Sequence, residues 1–160
     1  MVHLRLVQLF VRCMRPNFQD YALSLCSVVA TRSTCDRLNV GAILTRDNVI
    51  LATGYNGAPR GMGHCDDEGH ELDGNHCVRT VHAEANAISQ AAKMGTPING
   101  SVLYCTHLPC YTCAKMLINA GVIRVIVKHD YHAGHNSREA FLKVGIPLTI
   151  VYDTNDDNCK

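Results

Sequence analysis

Between residues 17 and 31 the apolar positions Phe18, Tyr21, Ala22, Leu25, Val28 and Val29 recur at steps of three and four, which is the repeat of a helix with one buried face. Asn17, behind Pro16, is a natural cap for its first turn. The period then changes. Residues 39–45 and 49–53 are short β-branched runs parted by Arg46-Asp47-Asn48, and Asp47-Asn48 tolerate the positive φ angles of a tight hairpin turn. Residues 54–78 show no sustained period and are dense in Gly, His, Asp and Cys, so they predict a long loop that is functional or pinned. From residue 80 or 81 to residue 94, Ala83, Ala85, Ala87, Ile88, Ala91 and Ala92 make a buried helix ended by Gly95 and Pro97, with His82 and Glu84 in its first turn. The remainder alternates: strand 101–106, helix 110–120, strand 122–128, helix 136–144, strand 146–152. The expected fold class is α/β with a mixed five-stranded sheet, an antiparallel hairpin first and parallel strands joined by right-handed crossovers after it.

A chain of 160 residues is one domain of ordinary size. We expect that domain to span 17–152, with 1–16 an N-terminal extension and 153–160 a tail. The apolar run at residues 4–11 is broken by Arg5 and Gln8, is too short for a membrane span and is followed by no small-residue cleavage site, so no membrane role is expected. Nine cysteines at uneven spacing do not form a staple framework. They point to metal and buried thiols in a reducing compartment, hence a cytoplasmic protein, in the host cytoplasm if the chain is viral. The net charge of +1 and the pI near 7.6 announce no nucleic-acid-binding face. A small phosphorylated substrate needs only one or two placed cations and is still allowed.

The chemistry concentrates in His82-Ala83-Glu84 and Pro109-Cys110-Tyr111-Thr112-Cys113. One imidazole and two thiolates, His82, Cys110 and Cys113, suit a zinc ion and leave its fourth tetrahedral position open for water, which means catalysis rather than scaffolding. Glu84 is placed to carry protons to and from that water. Cys110 and Cys113 open a helix, where N–H groups lower a thiol pKa, and Pro109 suits its start. A lone C-x-x-C is equally a redox pair. Joined to H-x-E, it is the zinc-deaminase pattern.

Val40-Gly41-Ala42, Gly54-Tyr55-Asn56-Gly57, His64-Cys65-Asp66-Asp67, Gly69-His70, the run from His76 to Ile88 and the run from Pro109 to Lys115 resemble the deoxycytidylate (dCMP) deaminases in their bacterial and phage form, within the zinc-dependent cytidine deaminase superfamily. The resemblance covers about residues 24–150. It implies a three-layer α/β/α cytidine-deaminase-like fold and an enzyme that converts dCMP to dUMP and ammonia, feeding thymidylate synthesis. It also implies the zinc and proton-shuttle roles already given, with Asn56 against the sugar and Tyr131 near the substrate. Members are typically homo-hexamers, activated by dCTP with Mg²⁺ and inhibited by dTTP. By the same resemblance Tyr55, Gly57, Ala58 and Arg60 are the candidates for that allosteric nucleotide site, Gly54 and Gly57 letting N–H groups approach a phosphate and Arg60 pairing with it. Arg79 is a further candidate for a phosphate, or for a salt bridge at the helix start.

Cys35, Cys65, His70 and Cys77 form a candidate second zinc site, closed and structural, that would pin the long loop; His64 and His76 compete with His70 for the imidazole place. Four other readings stand beside dCMP deamination. A dCTP-accepting deaminase differs only in phosphate length. A tRNA adenosine deaminase shares both zinc motifs and needs a basic face that the charge does not supply. A non-catalytic zinc-bound assembly module has no use for Glu84, and a nucleoside deaminase usually carries cysteine where His82 stands.

Overall fold

Asn17 caps α1 (Phe18–Ala30), its Oδ1 accepting from the Asp20 N–H at 2.9 Å. A hairpin follows, β1 (Gly41–Arg46) and β2 (Val49–Tyr55), turning at Asp47 and Asn48 with φ of 53° and 62° as their short polar side chains allow. The computed structural model describes residues 15–74 and 76–151, so the N-terminal extension before residue 15 and the tail after residue 151 lie outside the described residues. Beyond the hairpin come α2 (Cys65–Glu68), β3 (Leu72–Asp73), β4 (His76–Cys77), α3 (Ala83–Met94), β5 (Val102–His107), α4 (Tyr111–Asn119), β6 (Arg124–His129), α5 (His135–Lys143) and β7 (Leu148–Ile150).

The main sheet has the order β2-β1-β5-β6-β7. β1 is antiparallel to both β2 and β5, while β5, β6 and β7 are parallel, which is the expected mixed sheet. Helix α1 covers one face, packing Ala22, Leu23 and Cys26 on Ile43, Tyr104 and Ile126. Helices α3, α4 and α5 cover the other, where Ala87, Ala114, Leu117 and Phe141 meet Leu44, Leu103, Val125 and Val127. Three layers result, and the central strands β1, β5 and β6 are buried on both faces while the edge strands β2 and β7 are more exposed. Among the described residues no helix is long and apolar enough to cross a membrane.

Two glycines set how closely the layers approach. A Cβ on Gly41 would lie 2.1 Å from the Cys26 carbonyl oxygen of α1, and one on Gly54 would lie 2.2 Å from the Ala83 oxygen and 2.4 Å from the Ala87 nitrogen of α3. Gly54 is therefore where the alanine face of α3 presses on β2, and its freedom serves packing, not the phosphate approach expected of it.

The structure moves two boundaries that matter. Helix α3 begins at Ala83, so His82 is its N-cap instead of a first-turn residue; Glu84 stays in the first turn. Helix α4 begins at Tyr111, so Cys110 is its N-cap and Pro109 lies just outside. The long loop is also less bare than its composition implies. β2 continues to Tyr55, α2 is a single turn, and β3 pairs with β4 as a two-residue hairpin.

Candidate active site

Two helix starts face each other over the C-terminal end of β5. His82 caps α3 in extended conformation without turning its ring onto the helix, and Cys110 caps α4 with its Sγ accepting from the Cys113 N–H at 3.5 Å. The ring is thereby left for the thiols: His82 Nδ1 lies 3.4 Å from Cys110 Sγ and 3.6 Å from Cys113 Sγ. A tetrahedral zinc with its usual bond lengths sets N and S ligands about 3.5 Å apart, so these three atoms fit the ion as they stand. They compose a candidate metal centre with three protein ligands.

The electrostatics agree with that use. The Cys110 thiol is pulled down to about 4, first by its hydrogen bond with Cys113, then by the His82 imidazole against a burial penalty. Cys113 is pushed up, by the same shared hydrogen bond and by burial. One thiolate is thus preformed, and the second proton leaves when a cation takes its place. Glu84 is 4% exposed, and desolvation raises its pKa, partly offset by its own backbone hydrogen bond and by His82.

A cavity of about 560 Å³ opens beside this centre, lined by His82, Glu84, Cys110, Asn56 and Tyr131. These five sequence-predicted residues thus come together there, and Cys35 and Cys77 of the predicted second site line the cavity as well. Asn56 is buried, and its amide clamps the chain before β1: Oδ1 accepts from the Val40 N–H at 2.8 Å, and Nδ2 donates to the Leu38 carbonyl at 2.7 Å. Beyond these two bonds the amide has one further N–H and one further lone pair to offer. Tyr131 follows Asp130, whose Oδ1 accepts from both the Tyr131 N–H and the Arg138 guanidinium. Its ring lies against His132, with centroids 4.6 Å apart.

Other predicted residues fall elsewhere. Arg79 does not line the cavity; its Nη1 donates to Glu68 Oε2 at 2.8 Å and ties the long loop to the start of α3. Tyr55, Gly57, Ala58 and Arg60 lie outside the cavity wall as well. Gly57 exchanges hydrogen bonds with Val81 at 3.1 and 2.9 Å, and the Ala58 N–H donates to Thr34 Oγ1 at 3.3 Å. Those two backbone donors are engaged within the fold. Sequence reading also missed Arg37, His107 and His132, which line the cavity, and named His76, which lines it too, only as a rival zinc ligand. His107 alone carried a local signal, three residues before Cys110 at the end of a predicted strand.

The second cluster assembles as expected, with His70 rather than His64 or His76. The ligand atoms of Cys35, Cys65, His70 and Cys77 all lie within 4.8 Å of one another. Cys65 Sγ is 3.7 Å from Cys77 Sγ, and Cys35 Sγ is 3.9 Å from His70 Nδ1. The other ring nitrogen of His70, Nε2, lies 3.0 Å from Asp36 Oδ1, a carboxylate placed to fix the ring's tautomer and orientation. Burial holds the Cys65 thiol up at about 12, whereas Cys77, despite burial, is drawn down to about 7 by His70 and backbone N–H groups.

Residues 16–129 match the family model of the cytidine and deoxycytidylate deaminase zinc-binding region. The chain is 42% identical over 134 residues to the ComE operon protein 2 of Bacillus subtilis, an alignment covering 84% of this chain and 71% of that one. It is 32% identical over 145 residues to the deoxycytidylate deaminase of Schizosaccharomyces pombe, covering 84% of this chain but only 44% of the yeast protein. Among solved structures, the dCMP deaminase of cyanophage S-TIM5 in complex with dCMP and dUMP superposes with a TM-score of 0.74 at 32% identity, over 86% of this chain and 98% of that one. The family match runs from before α1 to the end of β6, the whole frame that carries His82 to Cys110 and Cys113, and on it this chain belongs to the cytidine and deoxycytidylate deaminase family.

Proposed function

We propose that this chain is a zinc-dependent enzyme that hydrolyses dCMP to dUMP and ammonia, supplying dUMP for thymidylate synthesis. The observation that carries the reading is the three-ligand cluster of His82, Cys110 and Cys113, of which His82 and Cys110 line one cavity together with buried Glu84. Zinc, when bound, supplies a Lewis acid that lowers the pKa of a coordinated water to about 7. The protein does the rest. Glu84 takes the proton of the attacking water, gives it to N3 of the pyrimidine, and serves the departing exocyclic amine in the same way. Burial raises its pKa toward the working pH, where a group that both accepts and donates is most effective. Asn56 and Tyr131 border the base and sugar. The complex of the cyanophage relative with dCMP and dUMP supports a deoxynucleoside monophosphate as substrate.

Around that core we place residues 17–152 as one catalytic domain, cytoplasmic, with a second, structural zinc on Cys35, Cys65, His70 and Cys77. A homo-hexamer activated by dCTP with Mg²⁺ and inhibited by dTTP follows the family resemblance. Since the Gly57 and Ala58 N–H groups are engaged, an effector phosphate at that loop would rest on the side chains of Arg60 and Tyr55.

The test is ammonia release by zinc-loaded protein over dCMP, dCTP, deoxycytidine and tRNA, each with and without dCTP–Mg²⁺ and dTTP. Highest kcat/KM on dCMP is expected. Highest kcat/KM on dCTP would move the reading to a triphosphate deaminase, and turnover of deoxycytidine alone would overturn it.

A further inference from the structure

His107 lines the catalytic cavity, yet it belongs to neither candidate metal cluster and has no part in the proton path through Glu84. We propose that His107 fronts the C5 edge of the pyrimidine, and that its Nε2–H decides which 5-substituents the cavity accepts: hydrogen, or a group carrying a hydrogen-bond acceptor, ahead of an apolar group of the same size. The proposal rests on the pyrimidine-deaminase reading of this same cavity.

The sheet order sets which edge of the base meets His107. β5 has β1 on one side and β6 on the other. Helix α3 packs on β2 and β1, its first residue Ala83 close against Gly54, so Glu84 reaches the cavity from the β1 side. Alternation along β5 puts Leu103, Cys105 and His107 on one face, the face that α3 and α4 cover. Cys105 lies beneath the reacting centre: burial raises its thiol pKa, and the Glu84 charge raises it further. His107 stands two residues on, about 6.6 Å farther along the strand. Its ring leans to β6, where His129 is its partner in register and the ring centroids are 5.0 Å apart at 42°. In a pyrimidine N3 and C5 flank C4. With C4 over the His82, Cys110 and Cys113 centre and N3 turned to Glu84 on the β1 side, C5 turns to the β6 side and meets His107.

The ring is also fixed in tautomer. Thr106 is buried, and its Oγ1 accepts from the Gly41 N–H at 3.2 Å, so the hydroxyl proton goes to His107 Nδ1, 3.0 Å away. Nδ1 is therefore the acceptor, and Nε2 carries the ring proton. Burial, and then His129, hold the His107 pKa below the ordinary histidine value, which leaves the ring neutral at pH 7. Among the described residues nothing takes up the Nε2–H, which is left for the cavity. A C–H at C5 leaves room for water to satisfy that donor. An oxygen on a C5 substituent satisfies it directly, whereas an apolar group of the same size displaces the water and leaves the donor unpaired.

The full chain, zinc-loaded, is compared as wild type, His107→Leu, His107→Ala and His129→Ala, with kcat/KM on dCMP and on its 5-hydroxymethyl and 5-ethyl analogues, which are nearly equal in size. Wild type is expected to favour the 5-hydroxymethyl over the 5-ethyl analogue about 10-fold or more. His107→Leu keeps the bulk and removes the donor, so that ratio should fall close to one. His107→Ala opens space, and its 5-ethyl-to-dCMP ratio should rise about 10-fold or more, the worth of a methylene or two in a pocket. His129 is exposed, so its replacement keeps the test open should the His107 variants not fold. Without the ring it leans on, His107 can yield, and the 5-ethyl-to-dCMP ratio of His129→Ala should rise about two- to fivefold. A wild type that does not tell the two analogues apart, a preference unchanged in His107→Leu, or a 5-ethyl-to-dCMP ratio unchanged in His107→Ala or His129→Ala each overturns the proposal. A wild type that deaminates neither dCMP nor either analogue overturns instead the deaminase reading beneath it.

Discussion

His82, Cys110 and Cys113 sit on the starts of helices of twelve and nine residues that pack on the central sheet, whereas Cys35, Cys65, His70 and Cys77 come from a turn after α1, a one-turn helix and a two-residue hairpin. The first cluster is assembled by the apolar core. Ala83, Ala87, Ala114 and Leu117, all buried, fix α3 and α4 against β5 whether or not an ion is present. The second has no such backing, since Leu72 is exposed and α2 buries only Cys65. The number of ligands follows the same division. Three ligands beside a cavity and a buried carboxylate leave a position for chemistry, and four ligands close a shell. On the proposed second zinc, preorganisation serves the reacting site and metal-driven order the loop that walls it.

The largest effect expected from this contrast is at Glu84. Glu84→Gln keeps the shape and removes the proton carrier, so kcat should fall about 10³-fold or more while zinc content and dCMP binding persist. Near wild-type turnover would remove Glu84 from the proton path and leave the first cluster without its stated purpose.

Stability should show the reverse order. Losing the second metal through Cys65→Ser is expected to cost about 3 kcal/mol when free zinc exceeds Kd by a few hundredfold, lowering Tm by about 6–12 °C. His82→Ala also loses a bound zinc and so lowers Tm by linkage, but amide exchange of α3 should hardly change, because the core already holds its helix, whereas α2 and β4 should exchange faster in Cys65→Ser. Equal acceleration of exchange around the two clusters would mean that they are not built differently after all.

Gly54→Ala probes the packing beneath the first cluster. A methyl group there meets backbone of α3 at 2.2 and 2.4 Å, so overpacking of about 1–3 kcal/mol is expected, together with a loss of kcat as His82 and Glu84 shift. Gly57→Ala meets only the Thr34 hydroxyl at 3.0 Å and the Tyr55 ring, and should be milder in chemical denaturation.

That pair also marks what the sequence could reveal. The cap at Asn17, the Asp47-Asn48 turn and the two ligand motifs are local signals, and each lies where its neighbours in the chain predict. Gly54 was misread because its reason is a helix 29 or more residues downstream. Arg79 offered a charge near the site, but its direction is set by Glu68, eleven residues back in a loop without period. Arg37 was missed, and His76 read only as a rival ligand, because nothing beside them in sequence names the cavity; only closure of the cluster between residues 35 and 77 brings them to it.

The smallest expected effect is at the ion pair of the cavity-lining Asp130 with Arg138, neither of which belongs to a candidate metal cluster. Asp130 is held below the usual carboxylate range by the Arg138 guanidinium and by the Tyr131 N–H, so the pair stays ionised from neutral pH down past the ordinary Asp value near 3.9. A depressed carboxylate pKa gives stabilisation that is present above the unfolded value and lost only as pH falls through the folded one. Arg138 and Asp130 are both partly exposed, so the pair contributes little energy, and its effect is on where Tyr131 stands. Arg138→Gln is expected to raise KM for dCMP about two- to fivefold with kcat, zinc content and Tm near wild type. Because the pair does not titrate between pH 5 and 8, the ratio of variant to wild-type KM should be flat across that range. A ratio that climbs with acid inside it would place the titrating group elsewhere, among the cavity imidazoles, and Tyr131 would no longer be positioned by Asp130.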